Sequence, residues 1–141
     1  MHVAARNSST ARFTAYVTAV ATMLAGLVFV AAPAHAATVS GTINGVIYTA
    51  DDTNIGAGAT ATDYDATSGP VVSIPATVNL GGTDYAVKTI GDHAFASTDL
   101  TNVTIPNSVT TIDNSAFAGN ALTNVTIPDS VTTIDDDAFY N

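Results

Sequence analysis

The sequence predicts a mostly β fold, a solenoid of 22-residue coils in which each coil is a strand plus a short helical turn. Three observations predict it. First, Val87, Val109 and Val131 fall 22 residues apart, as do Ile90, Ile112 and Ile134, and Phe95, Phe117 and Phe139. Second, Leu100/Leu122, Val103/Val125, Ile105/Ile127 and Pro106/Pro128 repeat at the same interval. Third, Val103 and Ile105 are two apart, the spacing at which strand side chains share one face.

Each element of the coil follows from its residues. Leu100, Val103 and Ile105 form a short strand, which Pro106 ends because it has no N–H for the ladder. Val109 and Ile112 occupy a second edge. Asp113-Asn114-Ser115-Ala116-Phe117 then reads as a cap and a single helical turn that carries Ala116 and Phe117 inward. One coil cannot offset the cost of ordering its own backbone, so neighbouring coils must stack on it and share its hydrogen bonds. A period of this length around an L-x-x-V-x-I core is that of a leucine-rich repeat.

The recurring pairs Ala116-Phe117, Ile105-Pro106 and Ser108-Val109, set in the run from Val71 to Asn141, resemble the BspA-type leucine-rich repeat of bacterial surface proteins. Where that family usually has a tyrosine or cysteine after Ala-Phe, this chain has Ala96 and Ala118, with Tyr140 in the last copy. The resemblance implies an exported, cell-surface, protein-binding module that adheres to extracellular macromolecules. The sequence stops after Ala138-Phe139, before another strand and without a polar capping segment, so the chain reads as an N-terminal fragment or truncated gene product of a longer repeat protein.

Residues 1–36 carry Arg6 and Arg12, an uncharged run from Phe13 to Ala32, Pro33 and then Ala34-His35-Ala36. The apolar run nearly reaches the length of an uncleaved membrane anchor, but Gly26, the Pro33 break and the Ala-x-Ala site favour a signal helix cleaved after Ala36, with no stable membrane insertion of the mature chain. Residues 37–70 lie outside the repeat and predict a small β cap. Asn44-Gly45 between alternating residues is a hairpin signal, and Ala59 to Tyr64 returns as a further strand covering the open end of the first coil. Residues 71–141 are the repeats. Val72-Ser73-Ile74-Pro75 matches Val103-Thr104-Ile105-Pro106 at 31 residues rather than 22, because Asn79 to Ala86 inserts a hairpin around Gly81-Gly82.

From Ala37 onward the chain has twelve aspartates, no glutamate and one lysine, Lys88, a formal charge of −11 with His93 neutral. Such a surface repels nucleic acid and anionic membranes, and it favours a soluble monomer. Absence of cysteine removes disulfides and lipid anchoring at a thiol. The chain is read as not an enzyme, with no catalytic residue, metal or cofactor. His93 sits where the other copies have Ser115 and Asp137, so it reads as a variable turn residue, and Asp51/Asp52 and Asp135/Asp136 lie on turns without a pocket. Stacked copies should align Asp113 with Asp135, and Asp92 with Asn114 and Asp136. These columns could share calcium, but more simply they cap local turns.

Asn102, Thr104, Asn124 and Thr126 alternate with the inward valines and isoleucines, and this repeated neutral face is the candidate ligand surface. Thr110, Thr111, Thr132 and Thr133 mark the other edge. The Asn-Val-Thr triplets at Asn102 and Asn124 also fit a glycosylation sequon, but as the repeat consensus itself. Two functions fit: a secreted adhesion module that binds an extracellular protein or surface macromolecule, or a passive structural spacer for a domain missing from the chain.

Overall fold

A computed structural model describes residues 37–141, and the expected signal helix lies outside them. Among the described residues the regular structure is nine strands and two short 3-10 turns. Strands β1 (Thr38–Ile43) and β2 (Val46–Asp51) form the expected hairpin, paired from Ile43↔Val46 to Thr38↔Asp51. Its two turn residues, Asn44 (φ 52°) and Gly45 (φ 81°), are both left-handed, the conformation whose twist matches the flanking strands. A β-carbon on Gly45 would collide with Ser68, so the turn also needs glycine for close approach.

Strand β3 (Ala59–Tyr64) runs antiparallel to β2 and then, on its other side, parallel to β6 (Thr83–Ile90). The cap therefore joins the repeats edge to edge within one sheet. That sheet continues through β8 (Thr111–Ile112) and β9 (Thr133–Ile134), all parallel, in register Thr89↔Thr111↔Thr133 and Ile90↔Ile112↔Ile134. Strand β5 (Thr77–Leu80) turns through Gly81-Gly82 onto β6, which is the inserted hairpin. On the second edge β4 (Val71–Ser73) pairs parallel with β7 (Asn102–Thr104), placing Val72 beside Val103 across the 31-residue interval.

The expected helical turn after each β-edge is not helical. His93, Ser115 and Asp137, equivalent in the three copies, have φ of 55°, 52° and 55°. A left-handed residue breaks an α-helix at its first turn, and one isolated turn lacks the length to nucleate. Two overlapping tight turns form instead, with Ala116 N–H bonded to the Asp113 carbonyl and Ala118 N–H to that of Ser115. The alternate amides are thereby free for the neighbour: Ser115, Phe117 and Gly119 donate to the carbonyls of Asp136, Ala138 and Tyr140 at 3.0, 2.8 and 2.7 Å. His93, Phe95 and Ser97 bond to the following copy in the same way. A helix would have consumed those donors within one copy and left none to tie the copies together.

Inside, the core runs continuously from Val46 and Tyr48 to Phe117 and Ala138. Its axis is a column of rings: Phe95 and Phe117 stack at 5.0 Å and 13°, and Phe117 and Phe139 at 5.2 Å and 9°. Tyr64, the last residue of β3, extends the column at 5.5 Å from Phe95, and its hydroxyl donates to the Gly69 carbonyl at 2.7 Å. The cap thus supplies an aromatic ring where the repeat has phenylalanine, so the first ring of the column is covered.

Buried Asn120 crosslinks two copies. Its amide nitrogen donates to the carbonyls of Phe95 (2.6 Å) and Phe117 (2.8 Å), and its side-chain oxygen accepts from the N–H of Leu100 (2.9 Å) and from Thr98. The bend that follows each Ala-Phe leaves carbonyls facing inward, and this one amide satisfies them.

Candidate interaction surface

The β4–β7 pair organises the candidate surface. Alternation buries Val72, Val103, Ile74 and Ile105 and turns Val71, Ser73, Asn102 and Thr104 to solvent. The register sets Val71 beside Asn102 and Ser73 beside Thr104, so the outer face is a patch of four side chains on two hydrogen-bonded strands. Further bonds brace it: Ile74 N–H donates to the Thr104 carbonyl at 3.1 Å, and Thr101 N–H donates to that of Pro70 at 2.8 Å.

Of the four residues expected on the ligand surface, Asn102 and Thr104 lie together on β7. Asn124 and Thr126 are also exposed, but their segment is irregular and no strand pairing joins it to β7 among the described residues. Asn124 instead lines a concavity of about 350 Å³ whose walls include Phe117, Leu122, Val125, Ile127 and Phe139. Sequence reasoning missed Val71 and Ser73 as members of the patch. The signal was present, because the match of Val72-Ser73-Ile74-Pro75 to the later copies makes Val71 and Ser73 the equivalents of Asn102 and Thr104.

The patch carries no charge, whereas the turns carry most of it. Asp113 is half-buried beside Asp135 and Asp92, and its carboxyl is pushed above the usual carboxylate range by burial and then by those two negative neighbours. The aspartates were expected to cap their own turns, but at Asp113 no backbone N–H donates to the side chain among the described residues. Asp51 and Asp65 do cap: each accepts from the N–H and hydroxyl of the threonine two residues on, Thr53 and Thr67, and the bonds hold both carboxyls below the usual range. Among the described residues no three acidic or histidine side chains converge on a point where a metal ion could sit. His93 is exposed, with Nδ1 at 2.7 Å from an oxygen of Asp92, its neighbour in the turn.

Asp113 supplies a pH test. Its folded-state pKa is raised, so ionisation weakens the fold above that pKa, and the penalty vanishes as pH falls through it. Replacing Asp113 with Asn is therefore expected to raise the melting temperature at pH 7, with the gap to the parent closing as the solution is acidified. Melting curves from neutral to acid pH check this, and a gap that widens on acidification contradicts it.

Residues 84–141 match the family model described as "BspA type Leucine rich repeat region (6 copies)". No curated protein matches the chain in sequence. Among crystal structures, a leucine-rich repeat protein from Bacteroides capillosus is 25% identical, with a TM-score of 0.52 over 69% of this chain and 88% of that one. A leucine rich cell surface protein from Faecalibacterium prausnitzii is 20% identical, with a TM-score of 0.32, 71% of this chain covered and 51% of the other. The T. pallidum leucine rich repeat protein is 17% identical, with a TM-score of 0.42 and coverages of 71% and 66%. The present chain thus spans about half the length of the Faecalibacterium protein.

Proposed function

Because residues 84–141 match the model of the BspA-type leucine-rich repeat, we propose that the chain is an exported surface module of that family that binds an extracellular protein through the β4–β7 face. In this reading the 22-residue units form a solenoid, and Asn102, Thr104, Asn124 and Thr126 are its contact residues, joined by Val71 and Ser73. The observation that carries it is the β4–β7 ladder: two bonded strands bury every second side chain and hold the alternate ones, neutral and polar apart from Val71, in fixed register toward solvent. Export follows from the charged, apolar and Ala-x-Ala order of residues 1–36, and solubility as a monomer from the net negative charge of the rest.

The chemistry available is hydrogen bonding by amides and hydroxyls, at about 0.5–1.5 kcal/mol net for each contact. Single contacts of that size give weak binding, so useful attachment comes from many copies acting at once on a surface. Replacing Asn102, Thr104, Asn124 and Thr126 together with alanine is expected to weaken binding to immobilised extracellular matrix proteins by about tenfold or more, while the melting temperature stays unchanged. Surface plasmon resonance beside a melting curve checks this. Undiminished binding would move the site elsewhere, and a parent chain that binds none of those proteins would leave a passive spacer as the better account.

A further inference from the structure

A second surface crosses the large sheet, and no hydrophobic pattern marks it. The strand registers align Ser40 with Thr49, Thr49 with Thr60, Thr60 with Thr89, Thr89 with Thr111 and Thr111 with Thr133. Residues directly opposite in adjacent strands share a face, so six hydroxyl side chains form one row across six strands, from the cap to the last copy. At the strand spacing of about 4.7–4.9 Å the row is about 24 Å long. Ser40 and Thr133 are exposed and the four between them half-exposed, each flanked by its neighbours in the row.

The hydroxyls in this row are free. Nearby Thr62, Thr110 and Thr132 turn theirs onto the backbone carbonyls of Ile47, Lys88 and Thr110. None of the six hydroxyls in the row has a protein hydrogen-bond partner among the described residues. Five of the six belong to threonine, whose branched β-carbon limits rotation about χ1, so the row presents donors, acceptors and methyl groups with little left to order on binding.

We propose that this row is a binding surface for a neutral polysaccharide chain lying across the strands. Charge selects the class of partner. The row itself is uncharged and Asp113 and Asp135 follow directly after Ile112 and Ile134 at its side, so an anionic polymer is repelled. The one lysine, Lys88, is turned to the Gly56 carbonyl at 2.9 Å and offers such a polymer no compensating contact there. Periodicity narrows the choice further. An extended peptide presents same-face groups about every 6.6–6.8 Å, out of step with hydroxyls about 4.8 Å apart. A glycan carries hydroxyls on every ring, each able both to donate and to accept, as each threonine does, and its C–H faces pack on the threonine methyls.

Affinity electrophoresis of the full chain through gels containing neutral hydroxyethyl cellulose, or anionic polygalacturonate, tests the proposal. The neutral polymer is expected to retard the chain and the anionic one to leave it unretarded. The triple variant Thr60→Val, Thr89→Val and Thr111→Val keeps the branched shape and removes three hydroxyls, and it is expected to bind about tenfold or more weakly. The matching triple serine variant keeps the hydroxyls and is expected to retain most binding. Should the valine triple melt early, Thr89→Val alone, at the centre of the row, is expected to weaken binding several-fold at an unchanged melting temperature. Alanine at Asn102 and Thr104 is expected to leave glycan retardation unchanged, which separates this row from the β4–β7 face. No retardation by the neutral polymer, equal retardation of parent and folded valine variants, or loss of matrix-protein binding in the valine variants without any glycan binding would overturn the proposal.

Discussion

Replacing Phe117 with alanine is expected to destabilise the fold by about 3–5 kcal/mol, the cost of removing a large buried aromatic whose space the surroundings cannot refill. Phe117 is 1% exposed and lies between two parallel rings, 5.0 Å from Phe95 and 5.2 Å from Phe139. Truncation therefore opens a gap in the middle of the column and strips a stacking face from both neighbours. Collapse is resisted because the strands and turns on either side are held by backbone bonds at 22-residue intervals, which set the separation of the copies. For a domain of this size, each kcal/mol shifts the melting temperature by about 4–8 °C, so the variant should melt at least about 12 °C below the parent. Phe139, half-buried on the outer side of the column, serves as the control and should cost clearly less when truncated. Urea unfolding of both variants checks the ordering. Equal losses would show that the column is not a continuous packed axis.

Asn120→Ala should come next in size, at about 2–4 kcal/mol, through polarity rather than volume. The substitution strands the Phe117 carbonyl and the Leu100 N–H in a buried bend, while the Phe95 carbonyl keeps the Thr98 hydroxyl at 2.8 Å. Each buried group left without a partner costs about 1–3 kcal/mol. Asn120→Asp separates the donor from the acceptor half of the site. A carboxylate still accepts from Leu100 and Thr98 but gives nothing to the two carbonyls, and at neutral pH it adds a buried charge. That variant should be at least as unstable as Asn120→Ala at pH 7 and should recover part of the loss in acid, where the protonated form can donate again. Amide hydrogen exchange offers a local readout: protection at Leu100 should fall in Asn120→Ala. Retained protection, together with a loss under about 0.5 kcal/mol, would mean that water replaces the amide without penalty.

The four chosen contact residues illustrate how far a surface can be read from sequence. Alternation placed Asn102 and Thr104 outward because the burial of Val103 and Ile105 leaves them no other face. The same logic put Asn124 and Thr126 outward, and they are exposed, yet it could not tell that their segment stays irregular while β7 is bonded to β4. Pairing depends on which neighbour a strand has, and residue periodicity holds no such term. Val71 and Ser73 joined the patch for the same reason, through a partner 31 residues away.

By itself, the sequence determined the repeat period, the inward positions of the earlier copies, the Asn44-Gly45 and Gly81-Gly82 hairpins and the acidic, cysteine-free chemistry of the chain, whereas Ile127 and Ile134, expected inward, are exposed at 36% and 49%. Each of these depends on residue type and spacing alone: apolar groups leave water wherever they recur on one face, and left-handed turns select asparagine and glycine. Tertiary structure alone decided the left-handed residue in place of a helical turn, the ring of Tyr64 completing the phenylalanine column, the crosslink through Asn120 and the hydroxyl row from Ser40 to Thr133. Those features arise where one copy meets the next or the cap meets the first. The deciding quantity there is the pairing of backbone donors and side chains between segments 22 or more residues apart, to which the local pattern of any one segment is blind.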